Sequence, residues 1–515
     1  MATSLAQAPL NHTLAEHAGQ PVKLYPRSFR KRGETWYGLV RTGPEKKLII
    51  LNGLADPFET ESMLEQNGKT VHLCPPTSAN ADALRRLFPW TAPEPLGKTS
   101  AIGCGDRLGI ASPGHIRACR ETNVPPVLAQ QSIREMERTE RTPQEVLDDA
   151  TWAVFQEGYT AGFGADADHL KTPEDIDACV EAGYTMYTID PSDHVDNEAD
   201  HLGDAALQER FEALPWNRLD TTPEEALVQY ADTTFDLSES AGALQVEFDA
   251  ETLKRSAVKY GAAVAHTKDM ARHLARRYQE DRAGASYDLE MSVDETDYPT
   301  RPHEHYFVAA ELDRLDLKLT SLAPRFPGDF EKGIDFIGDL DRFEASFQAH
   351  ATIAEAFGGY KLSIHSGSDK FSAFPIIGQC AGNHVHLKTA GTSYLEALRI
   401  AARRAPDLLR EIVEFAFERF GEDRKTYHVS TDLDAIPEPA TVADADLEAA
   451  YLEDEDGRQL LHITYGSVLT ARENGADRFR DRFYQVLNEH EEEHYDTLTS
   501  HFLDHIESVG HMSVA

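Results

Sequence analysis

Cysteine is scarce in this chain of 515 residues, and long hydrophobic runs do not occur in it. The five cysteines are scattered and form no CxxC pair, which argues against a disulfide framework or a zinc cluster and predicts reduced thiols. We expect no membrane span, because no apolar run reaches about eighteen residues. The first ten residues lack the basic start and the apolar centre of a signal peptide. These absences together predict a cytoplasmic protein.

Basic residues are also few, at 50 Lys and Arg against 88 Asp and Glu, which gives a formal net charge of −38. A field of this sign repels nucleic acid and anionic membranes, so we expect neither as a partner. The acidic residues are spread along the chain, for example at 193–200 and 453–456, and this spread is typical of a solvated surface or a salt-rich cytoplasm. An anionic ligand would therefore need local Arg or Lys side chains.

The length and the 41% hydrophobic content suit one large α/β domain with smaller additions. We predict a small N-terminal α/β unit at 1–95, a catalytic (β/α)8 TIM-type barrel at 96–430, and an acidic, mostly helical addition at 431–515. Eight strand candidates alternate with helical stretches in the central part. They are 100–102, 127–129, 159–163, 186–189, 287–293, 319–322, 360–364 and 384–387.

Most of these strand candidates run directly into polar clusters. In a (β/α)8 barrel the carboxyl ends of the strands and the loops that follow them line one mouth, where catalysis occurs. Eight strands that end in this way favour a barrel over an open parallel sheet. A long helical insertion is expected around 200–280.

Two short motifs suggest other functions. His490 and His494 match the HExxH pattern of zinc peptidases, but apolar residues fall close to the same helical stripe, so both histidines could simply pack against the body. The glycine-rich segment at 103–109 resembles a dinucleotide loop whose third glycine comes one position late. We expect these glycines to allow a close backbone approach to a substrate instead.

Three segments, at 164–169, 289–296 and 363–371, concentrate the residues that can carry chemistry. A divalent metal needs imidazole or carboxylate ligands that converge from separate elements. His169 and His365 can supply two nitrogens from different strand ends, and His305 can supply a third. Asp168 and Glu290 remain as an acid/base pair.

Each of these residues also has a structural interpretation. Asp168 could be a helix N-cap. Glu290 could form a structural salt bridge inside an apolar strand, where a lone carboxylate is costly. His365 could be a buried core histidine, and His303 competes with His305 for the third ligand position.

The three segments resemble those of the tagaturonate/fructuronate epimerase family, and the resemblance runs from about residue 100 to 470. Further strings carry it: GDRLG at 105–109, AQQS at 129–132, TIDPSDHV at 188–195 and HLKTAGTSY at 386–394. The family interconverts D-tagaturonate and D-fructuronate in hexuronate catabolism and uses a divalent metal. The resemblance thus implies a keto sugar acid as the small-molecule partner, while the formation of a homo-oligomer stays open.

The resemblance also implies roles for individual residues. Asp168 corresponds to the proton acceptor and Glu290 to the proton donor. His169 and His365 correspond to metal ligands, with His305 as a third, and Zn, Mn, Co or Ni would suit such ligands.

The substrate carboxylate needs cations in an otherwise acidic protein. Four basic residues follow strand candidates, and we expect them to bind substrate together with Gln131: Arg107, Arg325, Lys370 and Lys388.

The two sugar acids differ at C4, whereas the ketone is at C2, so enolisation towards C3 would epimerise the wrong carbon. A retro-aldol route avoids this difficulty. Asp168 would remove the proton of the C4 hydroxyl, and the C3–C4 bond would break and re-form after rotation of the aldehyde. Direct deprotonation at C4 is the competing route. A metal-dependent isomerase or aldolase of a related ketose and a non-catalytic sugar-acid binding protein remain as alternative functions.

Overall fold

The computed structural model describes residues 14–17, 19–66, 68–238, 243–510 and 512. The first ten residues, on which the expectation of no signal peptide rests, lie outside the described residues. Within the described ranges, none of the helices combines the length and the apolar character that crossing a membrane requires.

The strands and helices are numbered in chain order. The strands are β1 (Val22–Arg32), β2 (Thr35–Thr42), β3 (Glu45–Leu51), β4 (Ser62–Gln66), β5 (Lys69–Cys74), β6 (Ala101–Gly103), β7 (Pro126–Ser132), β8 (Gly164–Leu170), β9 (Met186–Ile189), β10 (Thr233–Asp236), β11 (Gln245–Phe248), β12 (Asp288–Val293), β13 (Ser321–Pro324), β14 (Lys361–Ile364), β15 (Val385–Lys388), β16 (Arg472–Glu473) and β17 (Ala476–Asp477). The helices are α1 (Ser78–Leu87), α2 (Ser112–Thr122), α3 (Ile133–Arg138), α4 (Pro143–Glu157), α5 (Pro173–Ala182), α6 (Asp204–Glu212), α7 (Pro223–Tyr230), α8 (Ala250–Asp281), α9 (Pro302–Arg314), α10 (Leu340–Ala356), α11 (Phe374–Ala381), α12 (Thr392–Arg404), α13 (Pro406–Asp423), α14 (Glu455–Ile463), α15 (Tyr465–Thr470), α16 (Arg480–Glu489) and α17 (Glu491–Val509).

Eight parallel strands, β6–β9 and β12–β15, close into a barrel. Strands that are adjacent in the barrel follow one another along the chain, apart from the hairpin β10–β11, and β15 closes the barrel by pairing with β6. A helix follows each strand, which gives the alternation that parallel pairing requires. The predicted (β/α)8 barrel is therefore confirmed.

Seven of the eight strand predictions overlap the strands of the barrel, but the prediction at 159–163 was wrong. The third strand is β8, so Asp166 to His169 lie within a strand and not after it. The run Tyr159 to Phe163 resembles a strand in the sequence because aromatic residues stand at both its ends, and in the structure these residues are buried, at 6% and 0% exposure. Two aspartates in β8 made it look like a loop, although alternate residues of a barrel strand face the interior.

The N-terminal unit and the long insertion contain more strand than was predicted. Strands β1–β5 form one antiparallel sheet in the order β1-β2-β3-β5-β4, followed by α1. The insertion between β9 and β12 contains α6, α7 and α8, and also the antiparallel hairpin β10–β11, which was not predicted. The division of the chain at 95 and 430 stays a prediction.

The C-terminal region is mostly helical, and its last helix, α17, packs against α2, α11 and α12 of the barrel. The HExxH pattern falls at the start of this helix. Its Glu491 forms a salt bridge with Lys23 of β1, with 2.5 Å between Nζ and Oε2. Among the described residues, His490 and His494 belong to no group of possible metal ligands. The contact of Glu491 with Lys23 therefore gives the motif a structural role.

The glycine-rich segment at 103–109 follows β6 of the barrel and does not form a dinucleotide loop. A Cβ atom at Gly105 would overlap the backbone of Ala390, so the close approach is to the chain itself. The expectation that these glycines approach a substrate was wrong for Gly105, because the loop after β15 occupies that space.

Candidate active site

A cavity of about 300 Å³ lies at the carboxyl ends of the barrel strands. Side chains from the ends of β7, β8, β12, β14 and β15 line one side of it: Gln130, Ser132, Asp168, His169, Asp294, His365 and Lys388. Residues of later loops and helices line the rest, including Phe330, Lys332, Gly391, Tyr427 and His462. The position agrees with the general location of active sites in such barrels.

Lys388 is the centre of the charged network beneath this cavity. Its Nζ lies 2.8 Å from Asp166 Oδ2, 2.7 Å from Asp168 Oδ1 and 2.9 Å from Glu290 Oε1. All four side chains are almost fully buried. Burying charges is tolerated only when they are paired, and a single ammonium here serves three carboxylates.

The three carboxylates are not equivalent. Burial, together with the charges of Asp168 and Glu290, raises the pKa of Asp166 to about 6 despite the contact with Lys388. Burial also opposes ionisation of Asp168, but the nearby His169 and Lys388 hold its pKa well below its usual range. For Glu290, Lys388 and His365 likewise outweigh burial and lower the pKa. Asp168 and Glu290 are therefore ionised at neutral pH.

His169 and His365 lie next to each other in the cavity wall, with ring centroids 4.9 Å apart. A break in the pairing of β8 with β9 falls between Ala167 and Leu170, and His169 has a φ of 56°. Such irregularities re-aim side chains next to active sites. Burial opposes protonation, but neighbouring carboxylates raise the pKa of His169 to about 10 and that of His365 to about 9.

The residues here fit a metal ion. Asp168, His169 and His365 each offer a ligand atom, and these atoms lie within 4.8 Å of one another. The Nδ1 atoms of both histidines are buried, and that of His169 lies 3.0 Å from Asp168 Oδ1. His365 Nε2 lies 2.8 Å from Glu290 Oε1, so the carboxylate can orient the ring and leave Nδ1 towards the cavity. Asp294 Oδ1 is 3.1 Å from that Nδ1.

The structure does not bring His305 to this group. His305 lies in α9, where its Nδ1 contacts His350 Nδ1 at 2.8 Å and its Nε2 contacts the Tyr360 hydroxyl at 2.6 Å. Both nitrogens are thus engaged in the layer between helices and barrel. Burial lowers the pKa of His305 well below its usual range. The structure therefore does not bring His305 into the group formed by Asp168, His169 and His365.

Most of the predicted substrate-binding side chains are engaged elsewhere. Arg107 is ion-paired with Glu135 and lies over the Tyr465 ring, at 3.6 Å from its centroid. Lys370 Nζ donates to three backbone carbonyls, among them that of Ser368. Neither residue lines the cavity. Their charges bind Glu135 and backbone carbonyls of the surrounding loops instead.

Gln131, Arg325 and Lys388 also differ from the expectation. Gln131 Oε1 accepts from Arg141, whereas the preceding Gln130 lines the cavity and donates to Asp168 Oδ2 at 3.1 Å. Arg325 lines an adjoining cavity of about 160 Å³ and donates to the carbonyl of Thr296. Lys388 lines the main cavity, but the three carboxylates occupy its ammonium group.

Several cavity residues were not identified from the sequence. Asp294 and Gln130 stood in polar clusters after strands, so the position of those clusters could have identified them. Lys332, Tyr427 and His462 come from a loop and from the C-terminal region, and no local pattern marks them. Only the folding of these segments over the barrel mouth brings them to the cavity.

Comparison with known proteins now gives the family. A family model described as tagaturonate epimerase matches residues 25–509. The chain belongs to the tagaturonate epimerase family. A tagaturonate/fructuronate epimerase from Thermotoga maritima is 41% identical over 495 residues, which cover 96% of this chain and 98% of that protein. The resemblance inferred from the motifs is therefore confirmed, and it extends into the N-terminal unit.

Solved structures agree with this result. A crystal structure of a fructuronate-tagaturonate epimerase from Cohnella laeviribosi, complexed with one glycerol, is 42% identical to this chain. It superposes with a TM-score of 0.88 and covers 98% of this chain and 100% of that one. The native structure of the same enzyme gives the same identity and TM-score.

Proposed function

We propose that this protein interconverts D-tagaturonate and D-fructuronate by epimerisation at C4, as a step of hexuronate catabolism. Family membership and the close relatives support the reaction. The observation that carries the proposal is the joint position of Asp168, His169 and His365 at the mouth of the barrel. Five free cysteines, four of them buried, suit a reducing compartment, so we infer a cytoplasmic location.

We propose that His169 and His365 hold a divalent metal (Zn, Mn, Co or Ni). Imidazole and carboxylate ligands suit these ions. When bound, such an ion supplies Lewis-acid stabilisation of negative charge that develops on a substrate oxygen.

We propose Asp168 as the base that takes the proton of the C4 hydroxyl. Its carboxylate lines the cavity and is ionised, and Lys388 and Gln130 each hold one of its oxygens. Contacts on both oxygens fix the direction of the group, which general base catalysis requires. The C3–C4 bond then breaks and re-forms with the aldehyde turned over.

For Glu290 the contacts support a positioning role more than direct proton donation. His365, Lys388 and Ser321 take its oxygens, and it does not line the cavity. A carboxylate behind a ligating histidine fixes the orientation of the ring. Glu290→Gln is therefore expected to weaken metal retention as well as activity.

Chelation followed by metal restoration tests the function. The purified protein should lose tagaturonate-to-fructuronate conversion when its metal is removed, and regain it with at least one of the four ions. Asp168→Asn should lower kcat by about 10²-fold or more. Metal analysis of the same variant separates the loss of a base from the loss of a ligand. Asp193→Asn, which removes an exposed carboxylate, is the matched control and should keep full activity.

Failure of the wild-type protein to convert either sugar acid with any of the four ions would refute the proposal. The route is tested separately in deuterated water. The retro-aldol route retains the original hydrogen on C4, so deuterium at C4 of the product would establish direct deprotonation instead.

A further inference from the structure

One side of the cavity wall carries polar groups that the proposed chemistry does not use. The loop with Lys332, the turn at Gly391 and the end of α14 with His462 meet there. The His462 side chain is buried, at 1% exposure, and neither ring nitrogen has a hydrogen-bond partner in the described part of the chain. Buried polar atoms are nearly always satisfied, so such a ring indicates a missing partner.

Glycines on two sides make room for this ring. A Cβ atom at Gly391 would overlap His462 Nε2, and one at Gly333 would lie 3.3 Å from His462 Cδ2. Gly391 also lines the cavity. The lack of a side chain at these two positions therefore lets the backbone pack directly against the imidazole, and at Gly391 this contact lies in the cavity wall.

The cationic side chains around His462 differ in whether an ion pair or a hydrogen bond already engages their charged groups. Arg107 and Lys370 are held by Glu135 and by backbone carbonyls, as described above. Arg458 is held by Asp369, at 3.0 Å, and by the carbonyl of Gly333.

Lys332 lines the cavity, and among the described residues no ion pair or hydrogen bond engages its ammonium group. Burial lowers the pKa of Lys332, and the carboxylates of Glu135 and Asp168 oppose that shift. Glu135 also lines the cavity, but Arg107 holds one of its oxygens. An unpaired ammonium and a neutral imidazole next to each other match the needs of an anionic ligand that accepts hydrogen bonds.

We propose that Lys332 and His462 form the subsite for the carboxylate group of the substrate, at C6 of the sugar acid. This assignment rests on the proposed function and replaces Arg107, Arg325, Lys370 and Lys388 in that role. The ammonium group pairs with the carboxylate, and a ring N–H of His462 donates a second hydrogen bond. The metal group then receives the other end of the same molecule, in a cavity whose size suits one small ligand.

Kinetics of Lys332→Met test the subsite. The carboxylate is remote from C4, so its binding is the same in the ground and transition states, and the variant should change KM and not kcat. We expect KM for D-tagaturonate to rise by roughly tenfold to a hundredfold, the range for a lost hydrogen bond to a charged group. Lys332→Arg should recover most of the affinity, and His462→Leu should raise KM as well.

Two controls separate this loss from general damage. Lys98→Met removes a lysine that donates to Gly358, well away from the cavity lining, and should leave KM unchanged. Metal content should equal that of the wild type in all variants. A KM for Lys332→Met within twofold of the wild type would overturn the proposal, as would an equal fall of kcat with unchanged KM.

Direct binding distinguishes the subsite from the proposed reaction. If the wild type converts neither sugar acid, the proposed function fails, and the Kd of D-tagaturonate measured by calorimetry decides the subsite by itself. A Kd that is at least tenfold weaker in Lys332→Met than in the wild type supports the subsite. Equal Kd values, or no binding to the wild type, overturn it.

Discussion

At the scale of single residues, Lys388 lies at the strand end where the sequence predicts it, but its contacts differ from the predicted contact with substrate. The sequence predicts it at a strand end near the site, and the structure confirms that position. Its ammonium group, however, neutralises three buried carboxylates. A cation used in this way has little capacity left for a substrate carboxylate.

Lys388→Met is therefore expected to destabilise the protein strongly. Removal of one partner from a buried ionic cluster costs about 3–5 kcal/mol, because charges are left uncompensated. Urea unfolding at neutral pH measures the loss. Lys318→Met, at an exposed lysine, is the control and should change stability by less than about 0.5 kcal/mol. A variant of unchanged stability with a raised KM would instead restore the substrate-binding role.

The pair Gln130 and Gln131 illustrates a second limit at this scale. Neighbouring residues of a strand face opposite sides, so only one of the two can reach the cavity. The sequence predicts Gln131 as a substrate-binding residue, whereas Gln130 is the amide that contacts Asp168. Nothing in the local sequence distinguishes the two amides, because both strand faces are buried here.

At the scale of elements, α17 connects the C-terminus to the N-terminal sheet. The Glu491 carboxylate accepts from Tyr25 at 2.9 Å and forms salt bridges with Lys23 and Lys46. Burial opposes its ionisation, but Lys46, Arg41 and Lys23 together lower its pKa to about 2. A glutamate that looked like a peptidase residue thus holds two distant parts of the chain together.

The stabilising effect of Glu491 should depend on pH. Its pKa is lower in the folded protein, about 2, than the ordinary value of 4.5, so the contribution is present above pH 4.5 and is lost as the pH falls towards 2. The difference corresponds to about 3 kcal/mol. Glu491→Gln should therefore unfold more easily than the wild type at pH 6, and the gap should narrow at pH 3.

Urea unfolding at both pH values measures this gap. Glu489→Gln, two residues earlier and exposed, should match the wild type throughout. A gap of the same size at pH 6 and pH 3 would show that lost packing, and not the charge of Glu491, causes the effect.

At the scale of the whole molecule, the net charge of −38 is the main electrostatic feature. Self-repulsion between like charges destabilises a compact state, and salt shortens the range of that repulsion from about 10 Å at 0.1 M to about 3 Å at 1 M. The cationic groups near the cavity are local exceptions within this field.

The melting temperature should therefore rise as KCl is increased from about 0.1 M to about 1 M. Scanning calorimetry at constant pH measures the change. NaCl should act like KCl, because screening depends on ionic strength and not on the identity of the cation. A melting temperature that stays constant or falls would mean that paired charges, such as the network of Lys388, outweigh the general repulsion.

The sequence alone was enough to predict the barrel, the family and the approach of Asp168, His169 and His365 to one another. Alternating apolar runs and helices reflect local hydrogen bonding and burial, and strand ends of a parallel barrel must share one mouth. Asp168, His169 and His365 could therefore be expected to meet. The boundary of β8 was misjudged, since its aspartates are stable in a strand only because Lys388, from the far end of the barrel sequence, neutralises them.

Only the tertiary structure decided which charges are free and which are already paired. Arg107, Lys370 and Lys388 are as basic in the sequence as Lys332, but their partners come from segments far away along the chain. His305 was likewise excluded by its contacts with His350 and Tyr360. Local sequence specifies the chemical type of a side chain, whereas burial and pairing depend on which distant segments fold against it, and these determine what it can bind.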